Sequence, residues 1–254
     1  MNNIFKYRHL ILNLAITNFK LKYKNSILGF FWSLLEPFFM LVVLYVVFSS
    51  LMKTNVEHYQ LFLLLGIICW GFFEKGTSMG INSIIGNPNI VKNVYFPREI
   101  LVMSSCLTAL FMTLFEFIVF VIFMLFFQVM PGIYSLFVPI ILIFELMIIY
   151  GISLAISAIN VSYRDIQYIW KVILQAGFFG TPILYQTSML PSSIVPYMYL
   201  NPMARIIELM RNIVIYRTDF NIYSFEYLSV VSLIFIIIGY KIFKKYEPYF
   251  AENI

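Results

Sequence analysis

Along residues 6–24 the polar positions recur at helical intervals. Lys6, His9, Asn13, Thr17, Lys20 and Lys24 are three or four residues apart and share one stripe, while Ile4, Tyr7, Ile11, Leu14 and Ala15 fall on the other side. A helix with amines on one face and aliphatic side chains on the other lies in the plane of a membrane surface, its lysines among the headgroups. Residues 1–26 are therefore read as a separate amphipathic helix. Beyond Gly29 the polar stripe stops and long apolar runs take over. Crossing a hydrocarbon layer of roughly 30 Å takes about 20 helical residues, and runs of that order occupy 28–52, 59–84, 99–128, 133–159, 166–185 and 227–244. The expected fold is all-α and integral to a membrane, with six transmembrane helices in a domain spanning 27–254.

The segments between the apolar runs differ in kind. Gln128 to Ser135 is short and uncharged, with Pro131-Gly132 marking a plain turn. In Gly86 to Glu99, Asn87-Pro88 opens a short helix that Phe96-Pro97 closes, leaving Ile90, Val91, Val94, Tyr95 and Phe96 on a piece too small to bury them. Such a piece is either a docking knob for another protein or a turn helix packed under the bundle. Asn160 to Gln167 carries Arg164-Asp165 beside the fifth run. Gln186 to Glu226 is apolar for a connection, yet Pro191, Pro196 and Pro202 cut it into pieces of one or two turns as far as Met203. From there Arg205, Glu208 and Arg211 share one helical face, and Met203, Ile207, Met210 and Val214 the opposite one. Short helices that enter the membrane and return on the same side fit this pattern, provided that they pack on protein.

Composition agrees with the pattern and narrows the class. The chain is 61% hydrophobic and only 11% charged, which is too apolar for one soluble core in 254 residues. No cleavable leader is expected, because the first apolar run starts only near Ile27 and no small-residue cleavage pattern follows. The two cysteines, Cys69 and Cys106, sit in apolar runs and read as small core residues. With the N-terminus inside, Lys6, Arg8, Lys20, Lys22, Lys24, Lys92, Arg98, Arg164, Lys171, Lys241, Lys244 and Lys245 are cytoplasmic, twelve of the 17 basic residues. Lys53, Arg205, Arg211 and Arg217 are outside, so both termini are expected in the cytoplasm.

Ionisable groups inside the runs need an explanation, since each costs about 2.5–3.5 kcal/mol at a membrane centre. Glu36, Glu74, Glu116 and Glu145 should face the bundle or a wet path, and Lys75 should reach water near the end of its run. Glu74 and Lys75 are adjacent, so they do not face each other and their partners lie elsewhere. No phosphate loop, zinc-protease motif or catalytic carboxylate pair is present, and His9 and His58 fall on opposite sides in this topology. The chain is expected to catalyse nothing alone and to bind no cofactor, metal or nucleic acid.

Five stretches carry a family resemblance: LKYKNSILGFFWSLLEPFFMLVVLYVVFSSLMK (21–53), NPNIVKNVYFPREI (87–100), NVSYRDI (160–166), TPILY (181–185) and LNPMARIIELMR (200–211). Together they resemble the membrane subunit of type 2 ABC exporters of polysaccharides, the permeases for O-antigen, capsule and teichoic acid. The resemblance implies that two copies form a pore in the cytoplasmic (inner) membrane. Each copy would bind a soluble ABC ATPase subunit that uses ATP and Mg, and the cargo would be a lipid-linked polysaccharide. It further implies a coupling helix at about 87–97, with Asn87, Pro88, Ile90, Val91, Lys92, Val94, Tyr95, Phe96, Arg98 and Glu99 receiving the ATPase motion. The gate helix would carry Lys6, Arg8, His9, Lys20, Lys22 and Lys24. The outer re-entrant gate, about 186–217, would carry Asn201, Arg205, Glu208 and Arg211. The first and fifth runs would flank the pore, and sugar rings, with their apolar faces, would slide on aromatic side chains. Phe30, Phe31, Trp32, Phe38 and Tyr45 on the first run, with Phe178, Phe179 and Tyr185 on the fifth, are candidates for that path, together with Glu36. Two alternatives remain open: a related permease for drugs or small lipids, and a membrane-embedded glycolipid-modifying enzyme.

Overall fold

A chain this apolar has to satisfy its backbone within each segment, and helices do so. The computed structural model describes residues 6–24, 26, 28–52, 57–93, 96–218 and 220–250, and no strand occurs among them. In order the helices are α1 (Arg8–Lys22), α2 (Trp32–Met52), α3 (Tyr59–Ile81), α4 (Pro88–Asn93), α5 (Glu99–Phe126), α6 (Val138–Ser162), α7 (Ile166–Gly180), α8 (Val195–Met198), α9 (Pro202–Arg211) and α10 (Ile222–Tyr246). Among the described residues, four stretches are long and apolar enough to cross a membrane: Tyr59–Ile81, Glu99–Phe126, Ile133–Ser162 and Ile222–Tyr249. A shorter apolar stretch, Trp32–Phe48, lies within α2.

Local chemistry moves several expected boundaries. Helix α7 stops at Gly180, short of residue 185, because Thr181 precedes Pro182 and is extended (ψ 143°). Helix α10 begins at Ile222, ahead of residue 227, because the Asn221 side chain accepts a hydrogen bond from the Ser224 amide at 3.1 Å and caps the helix. Asn201 caps α9 in the same way, accepting from the Met203 amide at 3.0 Å, with Pro202 in the first turn.

Helix α3 is the hub, apolar nearly all round and packed by α2, α5, α6, α7 and α9. Lipid supplies no hydrophobic drive between helices, so close packing must hold them together. The tightest crossing shows how. Gly151 on α6 faces Gly239 on α10, and a Cβ on Gly239 would run into the Gly151 backbone. Helix α1 lies against α5: the Thr108 hydroxyl donates to the Ala15 carbonyl at 3.2 Å, and Phe19 stacks on Phe115. The expected stripe is kept, since Ile11 and Ala15 are buried and Lys6, His9, Asn13, Thr17, Lys20 and Lys24 are exposed.

Candidate functional site

A cavity of about 900 Å3 opens at the side of the bundle, between α2, α3, α5 and α7. Two helical stripes build most of its wall. On α2 the stripe is Trp32, Glu36, Phe39, Met40 and Val43; on α3 it is Ile67, Trp70, Gly71, Glu74, Lys75 and Ser78. Both follow the three- and four-residue steps of one helix face. Pro37, inside α2, also lines it. Having no N–H, Pro37 cannot donate to the Ser33 carbonyl one turn back. Lys22 and Tyr23 at the end of α1 close one side, and Phe178 of α7 reaches in from another.

Five ionisable side chains of the helices meet here. Lys75 forms an ion pair with Glu116 of α5, and the two side chains are 18% and 2% exposed. Lys75, expected to reach water near the end of its run, borders the cavity and has a carboxylate partner on the next helix. Glu36 and Glu74 are exposed toward the cavity and have no ion-pair partner among the described residues. Partial desolvation lowers the Lys22 pKa from the usual lysine value, with Glu36 pulling the other way. The fourth carboxylate, Glu145, lies elsewhere: it is fully buried on α6, with neither oxygen hydrogen-bonded among the described residues.

The aromatic residues picked out in the sequence divide into three groups. Trp32 and Phe178 line the cavity. Phe38 packs on Phe123 and Tyr45 on Tyr59, so both rings serve helix contacts. Phe31 and Phe179 are exposed outside the cavity wall, and the Tyr185 hydroxyl donates to the Phe179 carbonyl at 3.2 Å. The Phe30 side chain lies outside the described residues.

The short helix α4 buries Val91 and exposes Lys92, while Ile90 and Phe96 are half-buried. It is therefore seated on the bundle by one residue and open on the other face. Asn87 donates to the Ser83 carbonyl at 2.9 Å, and Pro88 starts the helix. Val94 and Tyr95 lie outside the described residues. Arg98 and Glu99 are engaged within the chain: Arg98 donates to the Glu247 carbonyl at 2.9 Å, and buried Glu99 pairs with Lys244 at 3.1 Å. They tie the start of α5 to the end of α10.

At the opposite end, α9 is anchored through its polar residues. Asn201 donates to the Thr181 hydroxyl, Arg205 to the Tyr199 carbonyl at 2.6 Å, and Glu208 accepts from the Tyr199 hydroxyl at 3.1 Å. Arg211, on the helical face that it shares with Arg205 and Glu208, is enclosed. It is 4% exposed, lies over the Phe62 ring, and donates to the carbonyls of Phe62, Pro182 and Ile183. At the last turn of α9 the helix is already covered by α3 and by the Thr181–Leu184 turn, so a side chain in phase with Arg205 is enclosed.

Residues 9–215 match the family model described as ABC-2 type transporter. The chain belongs to that family. It is also similar to the O-antigen export system permease protein RfbA of Klebsiella pneumoniae, 28% identical over 244 residues, covering 94% of this chain and 93% of the relative. The protein of that name from Myxococcus xanthus is 25% identical over 256 residues, 100% of this chain and 98% of the relative. The polysialic acid transport protein KpsM of Escherichia coli is 23% identical over 227 residues, 87% and 86% respectively.

For this ABC-2 membrane protein, the sequence reading placed Trp32, Glu36 and Phe178 in the cavity group but omitted Trp70, Glu74, Lys75 and Glu116 from it. A signal for the α3 members was present: Trp70, Glu74, Lys75 and Ser78 form a polar and aromatic stripe in an otherwise apolar run. Glu116 stood out only as a charge that must face the bundle or a wet path; its partner, 41 residues away on another helix, was not visible.

Proposed function

We propose that this chain is the permease subunit of an ATP-driven exporter of polysaccharide. The observation that carries the reading is a coincidence of two facts. The relatives, matched over 86–98% of their length, are O-antigen export permeases and a polysialic acid transport protein, and the cavity between α2, α3, α5 and α7 is walled by aromatic rings and carboxylates. Sugar rings present apolar faces to aromatics and hydroxyls to carboxylates, so such a wall suits a moving glycan.

In this reading the chain crosses the inner membrane six times with both termini in the cytoplasm, α2 and α7 completing the four longer crossings. Their outward faces carry exposed Val42, Val46, Tyr168 and Val172, as expected of helices that meet a second copy or lipid. Helix α4 is the coupling helix, offering Lys92 and its open face to an ABC ATPase that binds and hydrolyses ATP with Mg. Helix α1 is the gate helix beside the entry of a lipid-linked glycan. Helices α8 and α9 form the re-entrant outer gate. The chain itself supplies the path rather than chemistry.

The test is export in cells lacking the gene. Surface polysaccharide should be lost and should return only when the chain is supplied together with its ATPase. Lys92→Glu should insert normally yet restore much less export. Surface polysaccharide that is unchanged in the deletion strain would remove this function.

A further inference from the structure

We propose that the cavity between α2, α3, α5 and α7 takes uncharged, hydroxyl-rich sugar units and turns away carboxylate- or phosphate-bearing ones. The inference rests on the reading of the chain as a polysaccharide permease and adds the class of glycan. Three carboxylates, Glu36, Glu74 and Glu116, and two amines, Lys22 and Lys75, reach the cavity. Lys75 and Glu116 neutralise each other. Recruiting Lys75 to an anionic ligand would leave Glu116, 2% exposed, as an unpaired buried charge, which proteins strongly avoid. What remains available is Lys22 at the mouth against Glu36 and Glu74 within, so the accessible charge is negative.

The two free carboxylates are acceptors only, and sugar hydroxyls are donors. Trp32 on α2, 45% exposed, offers a flat face one helical turn from Glu36, whereas Trp70 on α3 is 5% exposed, packs on Phe73 and Phe178, and backs the wall beside Glu74. A neutral sugar ring laid on the Trp32 indole has its hydroxyl edge beside Glu36, with Glu74 on the α3 wall of the same cavity. A uronate or phosphate in that place sets like charges side by side in a partly desolvated space, where their repulsion is weakly screened.

Binding to the purified full chain in lipid nanodiscs tests this, read by intrinsic fluorescence, since two of the three tryptophans line the cavity. The probes are a neutral glucan hexasaccharide and a hexagalacturonate of equal length. At low salt the acidic probe should bind at least about tenfold more weakly, with the gap narrowing as salt rises. Glu36→Gln with Glu74→Gln should bring the two probes within about threefold of each other, because glutamine keeps an acceptor and removes the charge. Tighter binding of the acidic probe, lost in Lys22→Met, would overturn the proposal in favour of an anion site. An unchanged ratio in the double variant would overturn it as well. If neither probe binds, the cavity is no sugar site, while the export reading still stands or falls on surface polysaccharide in the deletion strain.

Discussion

Arg211 and Lys75 each place a cation where the surrounding sequence is apolar, and the molecule treats them in opposite ways. Arg211 is enclosed at one end of the bundle, its guanidinium spread over three backbone carbonyls from α3 and the turn after α7, with Phe62 beneath it. A planar fork of five donors suits such a set of fixed acceptors. Lys75 sits at the edge of the 900 Å3 cavity with one carboxylate partner. The first region is satisfied by backbone and held rigid. The second is satisfied by a side chain that water or cargo can reach. The difference teaches that burial alone does not mark the site here; a charge that borders open space does.

Removing the rigid tie should have the largest effect. Arg211→Met leaves the Pro182 and Ile183 carbonyls without this donor, the Phe62 carbonyl keeping its helical bond, and each orphaned group costs about 1–3 kcal/mol. The expected loss is about 3–5 kcal/mol, with α9 released from α3. Arg211→Lys should fall between, since one ammonium cannot reach all the acceptors at once. Thermal unfolding in lipid nanodiscs measures this; a midpoint unchanged in Arg211→Met would dismiss the tie.

The Lys75–Glu116 pair should matter less to stability, because its lysine borders the cavity and can be partly rehydrated. Glu116→Gln is expected to destabilise by about 1–2 kcal/mol, while Lys75→Met combined with Glu116→Leu should recover most of that loss. A double variant as unstable as the sum of the two single ones would mean that the residues act separately.

How far these regions could be read from the sequence follows from the distance over which each is built. The helices and the amphipathic α1 rest on neighbours within a turn, so the stripe Lys6 to Lys24 and the face shared by Arg205, Glu208 and Arg211 after Pro202 were visible in the pattern. Thr181-Pro182 announced the end of α7, yet the apolar run continues through Ile183 and Leu184, and hydropathy alone carried the expected helix past the break. The burial of Arg211 was not legible, because its helical phase says which side chains it sits beside and nothing of what covers them. For Lys75 the sequence showed a residue able to reach water near a run's end, and only the fold reveals its carboxylate partner. The aromatic residues were the least legible. With 19% aromatic content, rings occur on every face, and Phe38 and Tyr45 turned out to serve packing while Trp70 lines the cavity.

Trp32 gives the smallest stability effect and the sharpest separation of the two regions. Its side chain is 45% exposed and lines the cavity, so truncation removes little buried area. Trp32→Ala should change the unfolding free energy by no more than about 0.5 kcal/mol, as expected for a surface position. An aromatic platform that contributes about 0.5–1.5 kcal/mol to a passing ring should, once removed, change export by about two- to tenfold. Measuring the unfolding midpoint and the export rate on the same preparation decides between two roles. A slowed rate with an unmoved midpoint assigns Trp32 to the path. A lowered midpoint with export falling only as the folded fraction falls assigns it to packing, and the wall of the wet region would then begin deeper, at Glu36 and Trp70.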